Sequence, residues 1–381
     1  MTGKLAIFTP QLGAASETFI RRHVQDLMPG RTVVVVRTAS THFDGYWQAQ
    51  CPVLFLDRWA LRAPVRIAGR LGISREYLRD ITVARFLRKH GVTAILGEYL
   101  DQFLDFVPLL NRMKLRYIVQ GLGIDVSATL RTPGMAKKYL SYRSAAAVLT
   151  RSEFHRSRLI QIGLPPDKVQ VNLAGVDVPE RVPERSAAAR KRFLAVGRFV
   201  PKKGPIYLLE SFRLAAARDL AITLEYLGGG QLLSAAQQFV SACGLENRVR
   251  LYGPVKSEVV SELSRTCGVF VQHSLTDPET GDEEGLPTAI QEAMAVGMVV
   301  ISTRHSGIPE AVEHEESGLL VDERDVAGMA ELMVRAANDP ALYERLGTCA
   351  YKKAKGLYSW PMERSRLLAY LGAAARQDTA K

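Results

Sequence analysis

The chain has 381 residues, of which 47% are hydrophobic and 23% charged, with 50 Lys and Arg against 39 Asp and Glu. This composition supports a sizeable core and excludes wholesale disorder and collagen-like repeats. The longest apolar runs are as short as a strand, well below the ~18 residues of a membrane span. The first residues also lack the pattern of a signal peptide, so we expect a cytoplasmic protein. Four cysteines without a CxxC pair disfavour a zinc site and a disulfide framework.

Short apolar stretches alternate with longer amphipathic ones along the first half of the chain. The predicted strands are Leu5–Thr9, Thr32–Val36, Val53–Leu56, Ala94–Gly97, Tyr117–Gln120 and Ala146–Thr150. The predicted helices include Thr18–Leu27, Tyr77–His90 and Glu153–Ile162.

The second half repeats the same alternation. Its predicted strands are Arg192–Val196, Ile222–Gly228, Val249–Tyr252, Val269–Gln272, Val299–Ser302 and Gly318–Val321. Its predicted helices are Lys203–Ala217, Gln231–Cys243, Lys256–Thr266, Leu286–Val296 and Asp325–Asn338. Continuously apolar strands separated by helices predict an α/β fold of two Rossmann-like, doubly wound domains. We expect the domains to span residues 1–178 and 191–357, joined by a proline-containing linker at 179–190.

The excess of basic over acidic residues lies entirely in the first half. Residues 1–178 contain 25 Lys and Arg against 13 Asp and Glu, whereas the remainder contains 25 against 26. Arg58, Arg62, Arg66 and Arg70 recur every fourth residue with apolar residues between them. This pattern is typical of a segment that lies on an anionic membrane, and equally of a solvated helix face packed on its own domain. No nucleic-acid-binding motif accompanies the charge, so nucleic acid is not an expected partner.

The most informative motif runs from Glu284 to Gly297 and predicts a loop that becomes a helix near Pro287. Thr288 would lie in the first turn, where free N–H groups and the helix dipole favour a diphosphate. Glu284 would lie before the helix and Glu292 within it, so the two carboxylates can accept hydrogen bonds from hydroxyls at different parts of one ligand.

Two further loops carry groups suited to phosphate. Arg198 and Lys203 follow a strand in the second half, where a guanidinium and an ammonium can neutralise phosphate oxygens. Gly13 follows the first strand and precedes a helix, which places backbone donors at the carboxyl end of that strand.

Together these segments resemble the retaining nucleotide-sugar glycosyltransferases of family 4, which have the GT-B fold. The resemblance covers almost the whole chain. It rests on Ser16–Ile20, Ser152–Arg156, Gly175–Asp177, Gly197-Arg198 with Lys203-Gly204, Gly228–Gly230, the E-x7-E pair, Gly307–Glu310 and Ser317–Val321. Asp282–Pro287 and the Ser-Glu-Thr-Phe opening are similar to bacterial exopolysaccharide transferases in particular.

The resemblance implies a fold in which the two domains face each other across a cleft. The closing segment, residues 358–381, is then a helix that crosses back to the first domain. The same resemblance implies a hexosyltransferase-type enzyme (EC 2.4) that uses no metal or other cofactor.

The resemblance also implies the site residues. Donor-binding positions would be Gly13, Arg198, Lys203, Tyr252, Gly253, Glu284, Gly285, Leu286, Pro287, Thr288 and Glu292. Of these, Arg198 and Lys203 would bind the diphosphate, Glu284 the donor sugar and Glu292 the ribose, while the nucleobase would rest near Tyr252. Arg198, Lys203 and Glu284 are the predicted catalytic residues.

One position departs from the family pattern. Leu122 aligns where many members have a histidine close to the reacting sugar carbon. A shift of one or two residues would bring Gln120 into the site instead, and Asp125 would bind acceptor or position its loop. We therefore take Gln120, Asp125, Arg62 and Arg66 as the predicted acceptor-binding residues.

Three histidines are assigned structural roles. His273 would be a satisfied histidine at the end of a strand, and His305 a loop residue. His23 is expected on a helix surface.

The functional hypothesis is retaining transfer of a sugar from a nucleotide-sugar, with UDP favoured over GDP on family frequency alone. The preferred acceptor is a polyprenyl-diphosphate-linked saccharide, which places the enzyme at the inner membrane face as a peripheral protein. A small soluble acceptor and a catalytically silent nucleotide-sugar-binding homologue are the alternatives. The E-x7-E pattern disfavours a 2-epimerase.

Overall fold

The computed structural model describes residues 3–13, 17–38, 47–60 and 74–376. The chain divides into two compact units, which we call unit 1 and unit 2. Unit 1 takes its described residues from Met1–Arg151, Arg156–Asn172 and Arg364–Lys381. Unit 2 comprises Ser152–His155 and Leu173–Glu363.

Unit 1 is built on a seven-stranded parallel sheet. Its strands are β1 (Lys4–Thr9), β2 (Thr32–Val36), β3 (Val53–Phe55), β4 (Val92–Glu98), β5 (Tyr117–Gln120), β6 (Ala147–Thr150) and β7 (Val169–Val171). The order across the sheet is β3-β2-β1-β4-β5-β6-β7. Because the order reverses beside β1, the carboxyl ends of β1 and β4 form the switch point at which such sheets hold ligands.

The α-helices between these strands vary in length. They are Thr18–Arg22, Leu56–Ala60, Arg75–Lys89, Leu100–Phe103, Val107–Arg112, Met135–Tyr139 and Glu153–Gln161. Ser74 caps the longest of them by accepting a hydrogen bond from Tyr77 N at 3.1 Å. A π-helical turn, His23–Leu27, continues the first helix.

Unit 2 has a six-stranded parallel sheet with the order β10-β9-β8-β11-β12-β13. Its strands are β8 (Arg192–Val196), β9 (Thr223–Leu227), β10 (Val249–Gly253), β11 (Val269–Val271), β12 (Val299–Thr303) and β13 (Leu319–Val321). Its α-helices are Pro205–Arg218, Leu233–Ala242, Ser257–Thr266, Thr288–Ala295, Ile308–Ala311, Val326–Asn338 and Pro340–Leu357. The last helix, Trp360–Arg376, begins in unit 2, and its residues from Arg364 onward count with unit 1.

Alternate residues of the unit 2 strands enter two separate apolar cores. Phe193 and Val269 belong to one core, and their neighbours Leu194 and Phe270 to the other. Both faces of the sheet are therefore covered, which explains why the strands are apolar without alternation.

The structure confirms the two predicted Rossmann-like domains. The prediction missed β7, a strand of three residues, and the short helices after β4 and β5. Pro287 is the residue before the helix rather than part of its first turn, since its ψ of 121° is extended.

The predicted linker, residues 179–190, lies within unit 2. There Arg185 donates to the carbonyl oxygens of Ser264 and Val296 at 2.7 and 2.9 Å. Tyr351 Oη also donates to the Pro179 carbonyl oxygen at 2.8 Å.

Among the described residues, no helix combines the length and the apolar character needed to cross a bilayer.

Candidate functional site

The site predicted for the donor lies at the carboxyl ends of the unit 2 strands. The loop after β8 carries Lys202 and Lys203 in a 3₁₀ turn, Pro201–Lys203. Gly204 closes this turn with a φ of 48°, and a Cβ there would lie 2.4 Å from the carbonyl oxygen of His273. Only glycine fits this close approach, which fixes the two lysines against the loop that follows β11.

Four charged side chains meet at this point. Lys203 Nζ lies 3.2 Å from Glu284 Oε2. Lys202 Nζ lies 2.9 Å from Asp282 Oδ2 and 3.5 Å from Glu284 Oε1. The exposed fraction of each of these side chains is at most 15%. Two positive and two negative side chains are therefore paired in a largely buried position, where each charge is costly without its partner.

Glu284 is held ionised by this arrangement. Burial acts to raise the pKa of its carboxyl, but Lys203 and Lys202 outweigh burial and bring the pKa to about 2. Burial lowers the pKa of Lys203, and Glu284 opposes that change. A diphosphate that approached Lys203 would add a second negative partner to this ammonium group.

The helix Thr288–Ala295 begins directly after this cluster. No side chain within the described residues caps its N-terminus. The first-turn N–H groups of an α-helix have no partner inside the helix, so this end suits an anion. Glu284 lies in the preceding loop, and Glu292 is exposed on the helix itself.

The remaining predicted donor residues of unit 2 lie around the ends of β8 to β10. Arg198 is exposed after β8. Tyr252 Oη donates to Glu225 Oε2 at 2.9 Å, and the Arg250 guanidinium lies 4.6 Å from the centre of the Tyr252 ring. The contact of this region with a nucleobase stays a prediction.

Sequence reasoning undervalued His305. This side chain is buried, with 2% of its residue surface exposed. Its Nε2 accepts a hydrogen bond from Glu284 N at 3.1 Å, and its Nδ1 lies 2.6 Å from Glu323 Oε1. The sequence analysis also missed Lys202. Nothing in the sequence Lys202-Lys203 indicates which of the two lysines contacts Asp282.

The prediction of a satisfied histidine holds for one ring nitrogen of His273, whereas its buried Nδ1 has no hydrogen-bond partner among the described residues. Its Nε2 accepts from Arg324 N at 2.8 Å, and its ring stacks on Tyr207 with 5.3 Å between the centroids. Burial lowers the pKa of His273 to about 4, so the ring is neutral at physiological pH.

Glu310, the last residue of the Gly-Ile-Pro-Glu segment, contacts the start of a helix. Its carboxylate accepts hydrogen bonds from Glu153 N at 2.8 Å and Phe154 N at 2.9 Å. These are the first N–H groups of the helix Glu153–Gln161, so Glu310 caps that helix.

The predicted acceptor residues belong to unit 1, and the geometry there gives them different roles. Asp125 is fully buried, and its two oxygens accept from the backbone N–H groups of Leu100, Leu122 and Gly123 at 2.8–2.9 Å. Burial raises the pKa of this carboxyl to about 6 against the opposing effect of those hydrogen bonds. Asp125 therefore organises the loop after β5, and its predicted contact with an acceptor has no support in this geometry.

Gln120 is also enclosed. Its Nε2 lies 3.3 Å from Glu98 Oε2, and its Oε1 accepts from Asn172 Nδ2 at 3.0 Å. Only 1% of its surface is exposed, so a direct acceptor contact is equally unsupported.

Three predicted positions remain, Gly13, Arg62 and Arg66. Gly13 follows β1 with a φ of 90°, which favours glycine, and its approach to a diphosphate stays a prediction. Arg62 and Arg66 lie outside the described residues.

The prediction of a surface position for His23 is wrong. His23 is fully buried, and its Nδ1 lies 2.7 Å from Glu98 Oε1. A π-helical turn begins at His23, and its side chain is buried against Glu98, which lies 75 residues away in the sequence.

A strained residue lies beside this pair at the carboxyl end of β4. Tyr99 has a φ of 64° and a ψ of 120°, outside the usual regions for a side-chain-bearing residue. Its hydroxyl donates to Glu17 Oε1 at 3.0 Å.

The sequence of this chain matches a known protein family and several known proteins. A family model described as glycosyl transferases group 1 matches residues 179–353, all of which lie in unit 2. The chain is also 33% identical over 321 residues to WcaL of Escherichia coli K12, a glycosyltransferase assigned to colanic acid biosynthesis. That match covers 81% of this chain and 75% of WcaL. The chain belongs to the group 1 glycosyltransferases.

Two other relatives match over shorter parts. WcaL of Salmonella typhimurium LT2 is 32% identical over 262 residues, which are 68% of this chain and 61% of that protein. The amylovoran biosynthesis glycosyltransferase AmsK of Erwinia amylovora is 33% identical over 197 residues, 51% of this chain and 48% of AmsK. The matched part is thus less than two thirds of each of these relatives.

Solved structures agree on the fold of this glycosyltransferase. Anabaena HepE, crystallised with UDP and glucose, superimposes with a TM-score of 0.77 at 16% identity, covering 97% of this chain and 99% of HepE. At that identity the similarity shows the fold, and with the two parallel sheets it confirms the predicted GT-B architecture.

Proposed function

We propose that this group 1 glycosyltransferase adds a sugar from a nucleotide-sugar to a growing saccharide during exopolysaccharide synthesis. The observation that carries the proposal is the cluster of Lys202, Lys203, Asp282 and Glu284 just before the helix Thr288–Ala295, whose N-terminus no side chain in the described part of the chain caps. Cations and helix N–H groups suit a diphosphate, and an ionised carboxylate beside them suits sugar hydroxyls. The names of the WcaL and AmsK relatives support the exopolysaccharide setting.

In this proposal each group has a separate task. Lys203 and Arg198 stabilise the negative charge that develops on the leaving diphosphate, together with the helix N-terminus. Glu284 accepts hydrogen bonds from the donor sugar, and Glu292 accepts them from the ribose. Because these groups neutralise the leaving group, we propose that transfer needs no divalent cation.

The reaction is proposed to retain the anomeric configuration. The departing phosphate oxygen takes the proton of the attacking acceptor hydroxyl on the same face of the sugar. This route needs no histidine at the position of Leu122. The donor is proposed to carry UDP, in keeping with the UDP and UDP-glucose complexes of HepE.

The acceptor is proposed to be a polyprenyl-diphosphate-linked saccharide at the inner face of the membrane. Support comes from the excess of 25 basic over 13 acidic residues in the first 178 positions. An anionic lipid surface or diphosphate is the natural partner for such a charge.

The test is release of nucleoside diphosphate and transfer to lipid-linked acceptors by the purified protein, with and without EDTA. Wild type should be active in both conditions, and Lys203→Met should lose about 100-fold or more in kcat, as for loss of one group that stabilises transition-state charge. Lys191→Met is the matched control, because Lys191 pairs with Asp219 and Asn338 elsewhere in unit 2. Retention is read from the anomeric configuration of the product by NMR. Full activity of Lys203→Met, or abolition by EDTA, would refute the assigned roles.

A further inference from the structure

A chain of hydrogen bonds leads from the backbone of Glu284 to a carboxylate on another loop. Glu284 N donates to His305 Nε2 at 3.1 Å, and His305 Nδ1 lies 2.6 Å from Glu323 Oε1. His305 exposes only 1% of its side chain, and Glu323 exposes 24%.

The direction of these hydrogen bonds follows from the chemistry of the groups. A backbone N–H can only donate, so His305 Nε2 carries no proton and accepts. The proton of the neutral ring is then on Nδ1, from which it is donated to the Glu323 carboxylate. Glu323 therefore selects the tautomer that can hold Glu284.

Glu323 also contacts a third loop, the one that follows β11. Its second oxygen accepts from Thr276 N at 3.1 Å. Thr276, His305 and Glu323 follow β11, β12 and β13, which are neighbours in the sheet. One carboxylate thus links the ends of three adjacent strands.

A parallel backbone contact fixes the next residue of the donor loop. Gly307 N donates to the Gly285 carbonyl oxygen at 3.0 Å. A Cβ at Gly307 would lie 2.3 Å from that oxygen, so glycine is required for the approach. The loop after β12 consequently holds this segment at two points, the Glu284 N–H and the Gly285 carbonyl oxygen.

We propose that His305 and Glu323 are positioning residues of this glycosyltransferase: Glu323 orients His305, and His305 holds the backbone of Glu284 so that its carboxylate meets the donor sugar. The inference rests on the proposed function of Glu284. His305 and Glu323 act through Glu284 and do not themselves touch the donor. Lys203 Nζ contacts the Glu284 carboxylate at 3.2 Å, so the side chain and the backbone of Glu284 are each held by a separate group.

Loss of His305 should affect the contact with the donor sugar and leave the contact with the nucleotide unchanged. Misplacement of a reacting group by about 1 Å costs on the order of 100-fold in rate. His305→Ala should therefore lower kcat for transfer or donor hydrolysis by about 10-fold or more. The Kd for the free nucleoside diphosphate should stay within about 2-fold, because that ligand lacks the sugar.

Two amide variants distinguish positioning from filling of space. His305→Gln offers an acceptor near the former Nε2, and His305→Asn offers one only near the former Nδ1. We expect Gln to restore a substantial part of kcat and Asn to behave like Ala. Glu323→Ala should lower kcat as His305→Ala does, since the ring loses the partner that fixes its tautomer.

His314 provides the matched control. Its Nδ1 accepts from Leu320 N at 2.9 Å, a hydrogen bond of the same kind in the same unit. His314→Ala should keep the wild-type kcat. The ¹⁵N NMR spectrum of the wild-type histidine rings gives a direct second readout and should show His305 as the Nδ1–H tautomer.

Each outcome decides the matter. An active wild type whose His305→Ala variant keeps its kcat, equal recovery by Gln and Asn, or an Nε2–H tautomer would each overturn the inference while leaving the proposed function intact. A wild type that neither binds nor turns over any nucleotide-sugar would overturn both.

Discussion

The paired charges of Lys203 and Glu284 make the stability of unit 2 depend on pH. The pKa of Glu284, about 2, lies below its ordinary value of 4.5, because the two lysines outweigh burial. A carboxyl whose pKa falls on folding stabilises the folded state above its unfolded pKa. That contribution is lost as the pH falls from about 4.5 toward 2.

We therefore predict that Glu284→Gln is less stable than wild type at pH 7 and that the difference narrows at pH 3. Urea unfolding at both pH values measures it. Glu331→Gln, which changes an exposed partner of Arg218, is the control and should differ little from wild type at either pH. A difference that is the same at both pH values would contradict the ionised state assigned to Glu284.

In unit 1, Glu98 is the acceptor on which two buried side chains depend. His23 lies 2.7 Å from it and Gln120 at 3.3 Å. Loss of a buried acceptor costs about 1–3 kcal/mol for each hydrogen bond that it received.

Glu98→Leu should accordingly lower the free energy of unfolding by about 3 kcal/mol, and Glu98→Gln by less, since an acceptor oxygen remains. Denaturant unfolding of the two variants is the measurement. Equal losses, or none, would show that the pair does not bear on stability.

The loops after β8 and β9 are in close backbone contact at Gly197 and Gly228. Gly228 has a φ of 140°, and a Cβ there would lie 1.9 Å from the Gly197 carbonyl oxygen. Gly197 precedes Arg198, so a displacement at Gly228 would also displace Arg198, the residue predicted to bind the diphosphate.

Gly228→Ala should destabilise the protein by about 1–3 kcal/mol and weaken nucleoside diphosphate binding. Gly356→Ala, in a helix and with no atom within 4 Å of its added Cβ, should be neutral or slightly stabilising. Thermal unfolding and calorimetric titration check both. Normal ligand affinity in Gly228→Ala would separate this loop from the donor site.

Some of the elements and site residues could be predicted from the sequence and others could not. Apolar strands and the Glu284–Gly297 motif identify the unit 2 sheet and place Glu284 before a helix, because local pattern determines both. The positions of His23 and His305 depend on partners 75 and 18 residues away, Glu98 and Glu323. No periodic pattern encodes such pairs, so their burial could not be predicted. Asp125 was predicted to bind acceptor or to position its loop. The sequence could not decide between the two roles, because one of its backbone donors, Leu100, lies 25 residues away.

For the whole molecule, the uneven charge is the main clue to the acceptor. The excess of basic residues lies in positions 1–178, and the arginines at 62 and 66 fall in a part of the chain outside the described residues. Binding that depends on such charge weakens as salt screens it.

The protein should therefore co-float with vesicles that contain anionic lipid, and release at about 0.5 M salt, where the Debye length is only a few Å. Arg62→Ala/Arg66→Ala should bind more weakly than wild type, whereas Arg213→Ala, a helix-surface arginine paired with Glu210 in unit 2, should not. Absence of binding at low salt would count against a lipid-linked acceptor and favour a small soluble one.

A panel of nucleotide-sugars, followed by thermal shift and by release of nucleoside diphosphate, shows whether unit 2 binds a nucleotide-sugar through Lys203 and Glu284. A ligand at 100 times its Kd stabilises the folded state by about 2.7 kcal/mol. We predict that one donor raises the melting temperature of wild type and is slowly hydrolysed, and that Glu284→Gln abolishes the hydrolysis. Binding without turnover, even with lipid-linked acceptors, would favour a silent nucleotide-sugar-binding protein. If no donor shifts the melting temperature, the site assigned to Lys203 and Glu284 is wrong.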